Sequence, residues 1–114
     1  MNETILMRLG WFTHHDEYAS YLTTVETVMS EPTYANRVTQ IVNQLNDIDN
    51  MISDSRQNSM ADMVGDIRVN YSQHIRNLHL DGNNLESELS DIMQLPIRYS
   101  RYRQRRSVSR FLGS

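Results

Sequence analysis

The residues best able to do chemistry lie in a few short stretches. "HHDE" at 14–17 sets two imidazoles beside two carboxylates, the donor types of a metal site. Ligands on a helix must stand three or four apart to share a face, and His15 and Glu17 diverge by roughly 200° around a helix axis. The spacing instead suits a polar first turn, with Asp16 and Glu17 near the positive end of a helix dipole. His74 and His79 are five apart and do not share a face; His74, beside Ile75, is expected to be a half-buried structural histidine. "DGNNLESE" (81–88) has a calcium loop's composition without the Asp-x-Asn-x-Asn-Gly order. Cysteine is absent, as are a Gly-rich phosphate loop, a nucleophile elbow and a convincing Ser/His/Asp set. These observations argue against an enzyme and against a resident metal or cofactor.

The C-terminal stretch "IRYSRYRQRRSVSRFLGS" (97–114) carries the clearest signal. It holds six Arg and no acid, a charge of +6, whereas residues 1–96 hold five Arg against fourteen Asp and Glu, a charge of −9. Lys is absent from the chain. Arg98, Arg101, Arg103, Arg105, Arg106 and Arg110 interleave with Tyr99, Tyr102 and Phe111. Arginine forks pair bidentately with carboxylates and phosphates, and aromatic rings anchor in pockets or stack on bases. Two partners satisfy that chemistry: a nucleic acid, or a protein groove on which the segment folds. The −9 of the remainder opposes close packing on DNA. Ile97, Tyr99, Tyr102, Val108, Phe111 and Leu112 are too sparse and aperiodic to build a core. Residues 97–114 are therefore expected to form an extended arm, with a reach of about 60 Å, that takes its shape from a partner.

Residues 1–96 read as helices. "NETILMRLG" gives a short helix capped by Asn2 and ended by Gly10. "THHDEYASYLTTVETVMS" gives a second, with Thr13 and Asp16 placed as a capping box. Pro32 opens a third, whose stripe of Tyr34, Val38, Ile41, Leu45, Ile48 and Ile52 alternates steps of four and three. A polar loop is expected at 53–59. Ser59 and Asp62 then cap a fourth helix with the stripe Met60, Met63/Val64, Ile67, Tyr71, Ile75 and Leu78. The same register continues through Leu85, Leu89 and Ile92, with Gly82 on the seam, where a missing side chain permits close approach. Asp81-Gly82 favours a turn or sharp kink and a fifth helix, while the unbroken register favours one bent helix. Pro96 ends the last helix. The expected architecture is all-α: a small bundle of four or five helices (1–96) followed by an Arg-rich extended arm (97–114). No window approaches the ~18 apolar residues of a membrane span. The start lacks a signal peptide's pattern, so a soluble protein made in the cytoplasm is expected.

Residues 78–102, "LHLDGNNLESELSDIMQLPIRYSRY", resemble a stretch of the head–tail adaptor (connector) proteins of tailed bacteriophages. The matching positions are Leu78, Gly82, Leu85, Leu89, Met93, Leu95, Pro96 and the arm from Ile97. The resemblance implies a structural virion protein: a homo-oligomeric ring, typically dodecameric, stacked below the portal in the neck, its C-terminal arm inserted into the portal assembly. DNA would pass through the channel without specific binding. On this reading the partner-binding residues are Arg98, Tyr99, Arg101, Tyr102, Arg103, Arg105, Arg106, Arg110 and Phe111, and deleting 97–114 leaves a folded body that cannot join the portal. The alternatives are a helical nucleic-acid-binding protein using the same arm, and a helical regulatory subunit that dimerises through the 34–52 stripe.

Overall fold

The computed structural model describes residues 1–57 and 66–102. It contains four helices, α1 (Asn2–Arg8), α2 (Tyr18–Met29), α3 (Pro32–Gln57) and α4 (Asp66–Met93). No strand occurs among the described residues, so the chain is all-α as its periodicity requires. By the 1.5 Å rise per residue, α3 and α4 are each about 40 Å long and form the long wall of the molecule. Arg37, near the start of α3, meets Glu88, near the end of α4, so the two helices run antiparallel. α1 packs on α2, and α2 packs on both long helices.

The α3 stripe turns inward as its spacing predicts. Val38, Ile41 and Leu45 are fully buried and Ile48 and Ile52 nearly so, while Tyr34 at the first turn stays half-exposed. The helix does not stop at 52 but runs to Gln57, because position 55 continues the same three-and-four register and Ser55 is small enough to be buried there. On α4 the buried positions Leu78, Leu89 and Met93 lie on the predicted face. Of the two alternatives at "DGNN", the chain does not turn there: α4 is one continuous helix through Gly82. Here a seam that buries apolar surface over several turns outweighs the local turn preference of Asp-Gly, since helix stability in proteins comes mainly from the packed face. The predicted Ser59/Asp62 cap and the stripe from Met60 to Val64 lie outside the described residues.

The short elements depart further from expectation. α1 is flanked by Met1 with no side-chain cap, so Asn2 does not cap it. Its end follows the prediction: Gly10 has φ +88, with Gly10 N–H on Met7 C=O (3.0 Å) and Trp11 N–H on Leu6 C=O (2.9 Å), a Schellman closure. The Thr13/Asp16 capping box does not form. α2 begins only at Tyr18, after Glu17, which makes no side-chain cap bond. The residues between make turns, in which Phe12 N–H donates to His15 Nδ1 (2.9 Å) and His15 N–H to Phe12 C=O (2.9 Å). This path brings Trp11 edge-on to Tyr21, with ring centroids 4.8 Å apart.

α4 closes with a second Schellman pattern. Leu95 N–H reaches Ser90 C=O (3.2 Å) and Gln94 N–H reaches Asp91 C=O (3.3 Å). The left-handed position is held by Gln94, φ +57, rather than by glycine. Pro96 enforces the stop, because the residue before a proline avoids the helical region. A non-glycine residue costs about 1 kcal/mol or more in that conformation. Gln94→Gly is accordingly expected to raise stability by about 1 kcal/mol, and Gln94→Val to lower it, in urea unfolding monitored by circular dichroism.

Candidate functional site

Beyond Pro96 the chain does not leave the body. Residues 95–102, the strap, run back across α1 and finish between α3 and α4. Trp11 Nε1–H donates to Pro96 C=O (2.9 Å). Arg98 N–H donates to Leu9 C=O at 2.7 Å, and Tyr99 N–H faces the same oxygen at 3.4 Å. Ser100 Oγ–H donates to Glu86 (2.5 Å) and accepts from Tyr102 N–H (3.2 Å). Both glycines of the described residues receive this segment. A Cβ on Gly10 would stand 2.4 Å from the Tyr99 nitrogen, and one on Gly82 would stand 2.7 Å from Tyr102 Cγ. The gap on the α4 seam thus admits a ring from the strap.

Tyr102, expected as an anchor for an external partner, is 4% exposed and belongs to the core. Its phenol closes a polar cluster drawn from three elements. The hydroxyl donates to Asp49 Oδ1 (2.5 Å), while Arg8, only 5% exposed, pairs with Asp49 Oδ2 (2.7 Å) and bonds Asn46 Oδ1 (2.5 Å). Arg8 Nη1 also lies 3.3 Å from the Tyr102 oxygen. Burial, reinforced by the Asp49 carboxylate, pushes the phenol well above its ordinary pKa, so it remains a donor. Arg101 adds a more exposed pair to Asp49 (3.2 Å). The packed body therefore runs to Tyr102, six residues past the expected boundary at 96, because Arg8, Gly10, Asp49, Gly82 and Glu86 build a seat that no local pattern in 97–102 reveals.

Glu86 is fully buried, and its Oε2 has no hydrogen-bond partner. Burial pushes its carboxyl upward from the usual 4.5, against the opposing influence of the Ser100 hydroxyl, the Arg101 N–H and the Arg8 and Arg101 charges. His79 stands one turn before Gly82, with its ring edge-on to Tyr102 at 6.0 Å and both ring nitrogens buried without partners. The inward histidine is thus His79; His74, expected to be half-buried, is exposed. The His14 and His15 rings lie 4.1 Å apart, tilted by 37°, and among the described residues no three His, Asp or Glu side chains converge as metal ligands.

Of the remaining predicted contact residues, Arg98 and Tyr99 are exposed and available, Tyr99 at 65%. Arg103, Arg105, Arg106, Arg110 and Phe111 lie outside the described residues. Sequence reasoning missed Arg8, Asp49 and Glu86. Each sits at a helical step from buried apolar positions: Arg8 three after Ile5, Asp49 four after Leu45, and Glu86 three before Leu89. Charges in seam register were the available signal.

The ring and the notch can be tested against each other. Adding a methyl by Gly82→Ala overpacks against Tyr102, at a cost of about 1–3 kcal/mol, which exceeds the roughly 1 kcal/mol gained in helix propensity. In a Tyr102→Ala background, itself destabilised by about 3–5 kcal/mol, the same substitution is expected to stabilise by about 1 kcal/mol. An effect of equal sign in both backgrounds, read by urea denaturation, would show that the ring is not seated there.

The raised Glu86 carboxyl means that the fold disfavours its charged form relative to the unfolded chain. Its contribution is complete below the ordinary value of 4.5 and is lost as pH rises through the raised value. Glu88, held below the usual range by the hydrogen bond from Arg37, has the opposite sign, and its contribution is lost as pH falls. Thermal midpoints across pH 4–8 (about the span over which a buried carboxyl titrates) are expected to gain relative stability toward neutrality in Glu86→Gln compared with wild type. Parallel profiles would contradict this assignment.

Comparison with protein-family models, curated proteins and solved structures gives no match for this chain.

Proposed function

We propose that the chain is a structural, non-catalytic subunit of the neck of a tailed bacteriophage. It is a head–tail adaptor that assembles in the host cytoplasm into a homo-oligomeric ring, of twelve copies in the pattern it resembles, below the portal of the virion. The observation that carries this reading is the division of charge, −9 over residues 1–96 and +6 over 97–114, joined to a strap that fixes the start of the Arg-rich segment at Tyr102. An acidic wall repels the DNA phosphates passing beside it and leaves the duplex free to slide. An Arg-rich segment launched from a fixed point docks on carboxylates of the portal and of other neck proteins. Tyr34, Met51 and Leu80, each exposed on the long helices, offer apolar points for side-by-side contact. No helix among the described residues is long and apolar enough to cross a membrane.

The strap changes which residues serve the partner. Arg98 and Tyr99 are exposed, while Tyr102 is committed inward and Arg101 is shared with Asp49. Deleting 97–114 therefore removes part of the core and is expected to destabilise the body. The informative truncation is 103–114: the shortened protein is expected to keep its helical circular dichroism and to lose the co-sedimentation with purified phage portal rings that the full-length protein shows. Undiminished co-sedimentation would overturn the docking role. The exposed Arg98–Tyr99 pair favours a second reading, a nucleic-acid-binding protein. That reading requires full-length protein to bind DNA or RNA fragments with an affinity that falls steeply with salt.

A further inference from the structure

We propose that in the assembled state the strap is exchanged: residues 97–102 of one copy seat in the Gly10/Gly82 groove of a neighbouring copy, filling a site whose occupant is a segment of this same sequence. The inference takes from the ring reading only that copies assemble; the groove and its occupant are visible in the monomer. The seat is specific. Two glycine notches take Tyr99 and Tyr102, Leu9 C=O takes the Arg98 N–H, Glu86 takes Ser100, and Asp49 takes the phenol and Arg101. All of these contacts lie beyond Pro96, so the segment can be withdrawn as a unit.

The connection favours exchange. Gln94 holds a left-handed turn without being glycine, and short strained hinges promote swapping of the element they carry. Opening that turn relieves the strain, gives up the Leu95–Ser90 hydrogen bonds, and leaves the contacts of residues 97–102 to be remade on a second copy. Reach is sufficient. Nine residues from Gln94 to Tyr102 span about 30 Å when extended, against a narrowest molecular dimension of 24 Å. In dilute monomers the intramolecular seat wins, since a tethered segment has an effective concentration of about millimolar. Once neighbours stand side by side that advantage disappears and the unstrained connection prevails. The Arg-rich segment then emerges from the neighbour's Asp49, so each subunit holds the base of its neighbour's arm.

The test exploits the lack of cysteine. Asn50 and Arg101 line one cleft of about 590 Å³ where the strap ends. Full-length Asn50→Cys and Arg101→Cys proteins, each carrying one thiol, are mixed unfolded, refolded together, concentrated toward millimolar, and treated briefly with a short bis-maleimide. Light scattering gives the mass before treatment. A covalent dimer containing one copy of each variant, well above the amount either variant forms alone, is expected in the oligomeric fraction. The double variant, diluted to the monomer, is expected to link within one chain. An oligomer that yields no mixed dimer overturns exchange, and so does a protein that remains monomeric throughout the concentration range. If Asn50→Cys fails to fold, Thr4→Cys on the same cleft replaces it. The outcome is separable from the neck reading: mixed dimers with undiminished portal binding after removal of 103–114 would refute portal docking and leave exchange standing. A ring without mixed dimers, whose portal binding is lost on removal of 103–114, would do the reverse.

Discussion

The structure depends on one buried ring. Tyr102 fills the space opened by the missing side chain at Gly82, and its hydroxyl meets the Arg8–Asp49 pair. α1, α3 and α4 each contribute one partner to it, through Arg8, Asp49 and Gly82. An ion pair this sheltered has lost much of its hydration, and such pairs are worth keeping only when their remaining hydrogen-bonding positions are filled. Asn46 and the phenol fill them. Remove the ring and the cluster opens to a notch that nothing on the helices themselves can fill. The four helices therefore form a receptor as much as a bundle, and the strap is the ligand that completes it.

The regular part of this fold could be read in the sequence, and the receptor could not. The stripe from Val38 to Ile52 states its own burial, because each residue's neighbours lie three or four places away. Gly82 was legible as a close approach, but not the group that approaches. Residues 97–102 offer only Ile97, Tyr99 and Tyr102 among charged and polar neighbours, without period, and so read as unable to order themselves. Their order comes from residues 8, 10, 49, 82 and 86, whose convergence is fixed by tertiary packing rather than by spacing. The same competition decides the local misreadings. Asp81-Gly82 is a turn signal in isolation, yet it lies inside a seam from Leu78 to Met93 whose burial would be lost by turning. Thr13 and Asp16 fit a capping box, yet the path that lodges Trp11 against Tyr21 and Pro96 uses those residues as turns.

The charge division also takes on a sharper form. Of the six arginines after residue 96, Arg101 is answered by Asp49, and Arg98 flanks the strap with its side chain exposed. Four remain in the sequence beyond Tyr102, so the densest run of positive charge follows directly on the strap. A pair as exposed as Arg101–Asp49 is weak and screened by salt, so its role is to orient more than to stabilise. The firm grip at this end comes from the buried contacts, the ring in its notch and the two serine hydrogen bonds.

That distribution of polar chemistry bears on what the molecule can be used for. Ser100 and Glu86 bond each other beneath the strap, while Arg8 and Asp49 hold the Tyr102 phenol at the edge of the cleft that they line with Arg101. Glu86 Oε2 and the two nitrogens of His79 are buried without hydrogen-bond partners, the His79 ring standing edge-on to Tyr102. A groove shaped and bonded to one short segment of its own sequence also fits the identical segment of a second copy, which is the property that the proposed exchange requires.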